Sequence, residues 1–167
     1  MGPTLARMAK KADEQAGKSR RIFGVARFSD PEAKEKLDSC GIETITCDLL
    51  DSSQASTLPD VPHVVCMTGM KFGTTGNQSL TWMMNTYLPT IICQKFSQSR
   101  IVAFSTGNVY GLTPVHLTGS EEVDELHPVG EYAWSRVGGV RIFEHYSREN
   151  GIPLVQLLLN FAHELRY

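Results

Sequence analysis

The sequence predicts a doubly wound α/β fold with a parallel sheet, and three observations carry that expectation. Short β-prone runs alternate with stretches whose apolar residues recur at helical spacing. Gly, Pro, Ser or Asp follow the strand-like runs, and the helical stretches are long enough to cross a sheet and return the chain in parallel, by the right-handed βαβ connection.

Taken in order, residues 4–17 place Leu5, Met8, Ala9 and Ala12 at helical spacing, with Pro3 suited to the first turn and Gly17 to the stop. Residues 21–27 read as a strand ended by Ser29, Asp30 and Pro31, and residues 31–40 as a short amphipathic helix closed by Gly41. Strands follow at 42–47 and 61–67, then a long helix at 79–97, a strand at 101–105, a helix at 130–150 and a strand at 153–159. The polar, turn-rich segments 51–62 and 112–127 predict loops, the second a candidate active-site loop.

At 167 residues the chain is expected to form one domain spanning 1–167. Its 41% hydrophobic and 20% charged residues suit a folded protein rather than a disordered one. A net charge of −2 and a pI near 6.2 supply no broad positive field for nucleic acid or anionic lipid, so the expected partner is a small molecule. No apolar run approaches the ~20 residues of a membrane helix. Cys40, Cys47, Cys66 and Cys93 lack metal-ligand spacing, so no metal is expected; reduced thiols suit a cytoplasmic protein.

The segment Phe104-Ser105-Thr106-Gly107-Asn108-Val109-Tyr110-Gly111 closes a predicted strand, and Tyr132 follows on the next predicted helix with Arg136 one turn further on. This pattern resembles the extended branch of the short-chain dehydrogenase/reductase superfamily, the NAD-dependent epimerases and dehydratases of nucleotide sugars. The resemblance implies a Rossmann-type domain lacking its first strand and most of the C-terminal substrate-binding part. It also implies an oxidoreductase acting on a hydroxyl or keto group of a sugar nucleotide or similar metabolite. Thr106 then corresponds to the hydroxyl that bonds the substrate oxygen and Tyr132 to the general acid/base. Arg136 stands where a lysine is usual, keeping the charge but as a planar fork. A non-catalytic dinucleotide-binding sensor or scaffold is the alternative.

The same resemblance assigns cofactor contacts. Gly2 corresponds to the last glycine of the phosphate-binding fingerprint, and Thr68 and Gly69 to the small pair through which backbone approaches the dinucleotide. Asp48 corresponds to the acid on the adenine amine, against a plain reading as the N-cap of the next segment. Asn85 corresponds to a helix-bend residue, against a plain reading as a solvated mid-helix Asn. Lys71 is a second candidate cation beside the nicotinamide. Arg27 and Ser29 occupy the end of the second strand of the full fold, where an acid would favour NAD; a guanidinium there suits the 2′-phosphate of NADP, against a plain reading as a solvated charge. The expected cofactor is therefore NADP or NAD, with NADP preferred.

Family members pair through the two long helices, so a homodimer is expected. Leu80, Met83, Met84, Tyr87 and Ile91 carry more apolar surface than one sheet face needs. Gly138 and Gly139, which cost a helix ~1 kcal/mol each relative to Ala, make sense if another helix packs closely there. Without the central first strand, the sheet is expected to split.

Overall fold

A computed structural model describes residues 1–112, 116 and 119–159. The predicted parallel α/β class is borne out: every ladder between described strands is parallel. The chain forms two compact units, one from Met1 to Thr57 and the other beginning at Leu58. The strands correspondingly make two sheets, of two and three strands.

The first unit contains α1 (Gly2–Gln15), β1 (Phe23–Ala26), α2 (Pro31–Asp38), β2 (Glu43–Thr46) and α3 (Ser52–Ser56). β1 and β2 pair with Phe23 opposite Glu43, and Leu37, Ile42, Cys47 and Ala55 are buried. Asp13, on α1, is 2% exposed. It persists there because Arg20 donates from Nε at 2.6 Å and from Nη2 to one carboxylate oxygen and from its backbone N–H at 3.2 Å to the other. That contact holds the Asp13 carboxyl below the usual range.

α3 lies inside segment 51–62, which the sequence predicts as loop. Ser-Ser-Gln-Ala-Ser has no apolar period to reveal a helix, but Asp51 caps it, accepting from the Ser53 and Gln54 N–H groups at 2.9 and 3.3 Å. Bonds from Ser53 and Gln54 draw the Asp51 carboxyl down to about 2.

The second unit contains β3 (His63–Cys66), α4 (Gln78–Trp82), a π-helical segment (Met83–Tyr87), α5 (Leu88–Lys95), β4 (Arg100–Thr106), a 3₁₀ turn (Gly107–Tyr110), α6 (Gly130–Asn150) and β5 (Leu154–Leu159). β4 is central, with Val65 opposite Val102 on one side and Val102 opposite Val155 on the other. Cys66, Leu88, Ile92, Cys93, Ile101, Ala103, Ala133 and Phe143 are buried in this unit.

The predicted helix 79–97 is thus interrupted, and Pro89 explains how. A proline has no N–H for the carbonyl four residues earlier and its ring collides with it, and here that carbonyl belongs to Asn85. The Asn85 carbonyl lies against α6 at Gly139, where a Cβ would overlap the oxygen, and Thr86 occupies the place a Gly138 Cβ would take, with its Oγ1 only 2.7 Å away. The close helix expected beside Gly138 and Gly139 is therefore a helix of the same chain. α6 ends at Gly151 in the left-handed conformation, as a glycine C-terminal stop requires.

Candidate active site

The C-terminal ends of β3 and β4 carry the cluster with chemical potential. β3 runs into Thr68 and Gly69, whose φ of 158° and surroundings both demand glycine: a Cβ there would stand 2.5 Å from Arg136 Nη1 and 3.1 Å from Asn85 Oδ1. Arg136 reaches across from α6, donating from Nη1 to the Thr68 carbonyl at 3.3 Å and from Nη2 to the Phe104 carbonyl. Its guanidinium thus ties the ends of two adjacent strands. Burial lowers its pKa, and the neighbouring Tyr132 and Cys66 oppose that shift. An arginine so placed keeps its charge.

Asn85 organises the same corner. It is 1% exposed, so the plain reading as a solvated mid-helix Asn is wrong. Its Oδ1 accepts from the Met70 N–H at 2.8 Å, while its Nδ2 donates to the Met70 carbonyl at 3.0 Å and to Ser135 Oγ at 2.9 Å. Ser135 Oγ in turn donates to the Tyr132 carbonyl at 2.8 Å. Trp82 Nε1 donates to Glu131 Oε2 at 2.6 Å, and Thr86 Oγ1 to the Ser135 carbonyl at 2.8 Å. The first turns of α6, which carry Tyr132, are therefore fixed to the interrupted helix and, through Asn85, to the loop after β3.

Thr106 ends β4 and is 6% exposed. Its hydroxyl accepts from the Asn108 N–H at 3.3 Å and caps the 3₁₀ turn. Tyr132 is half-buried and electrostatically coupled to Arg136. Lys71 is exposed, with its ammonium 5.8 Å from the Phe72 ring centroid.

The remaining sites fall in the first unit. Gly2 opens α1. Arg27 and Ser29 are exposed just beyond β1, separated by Phe28 at a positive φ of 46°. Asp48 Oδ1 accepts from the Leu50 N–H at 3.0 Å in a local turn. The plain reading of Asp48 as an N-cap is corrected: Asp51 caps α3. Of the candidate loop 112–127, residues 113–115, 117 and 118 lie outside the described residues.

Ser135, Thr86 and the Met70 backbone are the participants that the sequence did not single out. A usable signal existed only for the bend, in the four-residue spacing between Asn85 and Pro89.

Residues 2–160 match the family model described as "NAD dependent epimerase/dehydratase family". The chain belongs to that family. Solved structures agree on the fold of this epimerase/dehydratase-family chain. UDP-glucuronic acid 4-epimerase from Bacillus cereus, in complex with NAD, is 18% identical with a TM-score of 0.70 over 91% of this chain and 52% of that one. UDP-glucose 4-epimerase from Thermotoga maritima, with UDP-glucose, is 14% identical with a TM-score of 0.75 over 91% and 50%. RMD from Pseudomonas aeruginosa, complexed with NADPH, is 17% identical with a TM-score of 0.66 over 84% and 55%. The chain spans about half the length of these solved relatives. No curated protein matches it. Among the described residues, no helix is long and apolar enough to cross a membrane.

Proposed function

We propose that the chain forms the dinucleotide-binding part of an epimerase/dehydratase-type oxidoreductase, acting on a hydroxyl or keto carbon of a sugar nucleotide or similar metabolite. The observation that carries this reading is the Tyr132–Arg136 pair: a phenol one helical turn from a cation that two strand-end carbonyls hold in place. Tyr132 takes or returns the proton of the reacting hydroxyl, and the Thr106 hydroxyl holds that oxygen.

The strand-end groups of the second unit suit the nicotinamide side of a dinucleotide. Thr68 and Gly69 bring backbone close, Arg136 supplies charge and N–H groups, and Lys71 is a secondary cation. Within the first unit, the family resemblance would give Asp48 the adenine amine, Gly2 the phosphates, and Arg27 with Ser29 the ribose or its 2′-phosphate; within the second, Asn85 holds the Met70 loop. When bound, the nicotinamide supplies the acceptor and donor of hydride. NADP is the preferred form because the group after β1 is a guanidinium rather than an acid.

The test adds NADP⁺ or NAD⁺ and then UDP-glucose or UDP-glucuronic acid, and follows the near-ultraviolet absorbance of reduced nicotinamide. Reduction that needs the sugar nucleotide is expected, with NADP⁺ bound roughly tenfold more tightly than NAD⁺ and that preference lost in Arg27→Ala, the loss of a charge-assisted contact being worth ~1.5 kcal/mol. Cofactor binding with no reduction by any sugar nucleotide would favour the alternative, a non-catalytic sensor or scaffold. The commitment of Arg136 to two main-chain carbonyls is the observation on that side.

We also propose a homodimer through the interrupted helix and α6. Leu80, Met83 and Tyr87 are 41%, 41% and 45% exposed and Trp134 is 53% exposed, whereas Ile91 is buried in its own unit. Sedimentation equilibrium at micromolar concentration is expected to show twice the chain mass, and replacing Met83 and Tyr87 together by Glu should return it to the monomer. A wild-type protein that sediments as a monomer rejects the dimer.

A further inference from the structure

Three buried polar atoms in the second unit have no hydrogen-bond partner among the described residues: Ser105 Oγ, Arg136 Nε and Gln156 Oε1. All three residues line one small cavity, whose other walls include Met84, Val140 and Phe143. Ser105 on β4 and Gln156 on β5 share a sheet face. In the register Gln156 sits opposite Ala103, and Ser105 is two residues further along β4. Gln156 Nε2 is already committed to the Val140 carbonyl of α6 at 3.1 Å, which leaves its oxygen as the free group.

We infer that Ser105 Oγ, Arg136 Nε and Gln156 Oε1 together bind a single internal water molecule. Size and chemistry both select that ligand. The space open to a water centre is about 10 Å³, close to the minimum for one water. The polar lining combines an obligatory donor, an obligatory acceptor and a hydroxyl that can do either. An anion would be repelled by the Gln156 oxygen and a cation by Arg136, whereas a water accepts from Nε–H and donates to the other two. Left unpaired, all three groups would carry an uncompensated desolvation penalty.

The water completes the set of bonds that orients the guanidinium. Of its five N–H groups, one on Nη1 goes to the Thr68 carbonyl, one on Nη2 to the Phe104 carbonyl and the Nε–H to the water. One hydrogen remains on each Nη for whatever binds at the strand ends.

Oxygen-17 magnetic relaxation dispersion on the folded protein counts waters held far longer than bulk solvent, and a high-resolution electron-density map locates them. The wild type is expected to show density within hydrogen-bonding distance of all three atoms. Gln156→Met, similar in shape but without the acceptor, is expected to lose one long-lived water relative to wild type. The inference is overturned if Ser105 Oγ bonds Gln156 Oε1 directly with nothing at Arg136 Nε, or if wild type and Gln156→Met hold equal numbers of long-lived waters. Should Gln156→Met not fold, the wild-type map alone decides.

Discussion

Gly139→Ala is expected to destabilise the protein by about 3 kcal/mol, opposite in sign to the effect of the same change in an exposed helix. In an ordinary helix the added methyl gains ~1 kcal/mol of helix propensity. Here the new Cβ would overlap the Asn85 carbonyl oxygen, and Pro89 Cγ would stand 3.5 Å away. Backbone cannot swing aside as a side chain can, so α6 and the interrupted helix must separate and forfeit contacts across a packed interface. Gly138→Ala meets the Thr86 side chain instead. Thr86 can change rotamer at the loss of its bond to the Ser135 carbonyl, so a smaller cost of ~1 kcal/mol is expected. Urea unfolding monitored by circular dichroism measures both. Pro89→Ala provides an internal check, because restoring an N–H four residues after Asn85 lets that carbonyl turn back into its own helix. The Gly139→Ala penalty should shrink in the Pro89→Ala background. A Gly139→Ala protein more stable than wild type would refute the described contact.

That contact also marks where the sequence stops being legible. The helix at 79–97 could be located from its apolar spacing, but its bend depends on one proline and one asparagine that act together only when α6 lies alongside. The sequence leaves Asn85 open between a helix-bend residue and a solvated one, because nothing local shows that Met70 and Ser135 close around it. α6 lies where its pattern places it, at 130–150, and Gly151 ends it in the left-handed conformation. α3 was not, because five polar residues carry no period and its one signal, an aspartate cap, is also what a turn uses.

The candidate site divides the same way. Thr106 at a strand end and Tyr132 near a helix start could be found by motif, because both depend on positions along the chain. What Arg136 does could not. Its partners are main-chain carbonyls of two other segments, which no residue type announces. The sequence shows only an arginine in place of a lysine, whereas the fold shows a cation committed to the strand-end carbonyls.

Because Tyr132 and Arg136 are bound into the structure so differently, substitution can separate their roles, and the proposed chemistry makes Tyr132→Phe the more damaging change to rate. The phenol oxygen of Tyr132 has no protein hydrogen bond among the described residues, while its backbone carbonyl is held by Ser135. Removing that oxygen should leave the melting temperature and cofactor affinity near wild type. Hydride transfer to or from the sugar carbon should fall by roughly 10²–10⁴-fold, the usual contribution of a positioned acid/base. Arg136→Met strands the Thr68 and Phe104 carbonyls without their donors, so it is expected to cost ~2–4 kcal/mol of stability and to slow the reaction as well. Arg136→Lys keeps the charge but must serve both carbonyls from one nitrogen on a shorter side chain without the planar fork, and an intermediate loss of stability is expected. Single-turnover rates and thermal melts on the three variants check the pattern. A Tyr132→Phe protein that transfers hydride at the wild-type rate, with cofactor bound, would remove Tyr132 from the reaction and leave the site to cofactor binding alone.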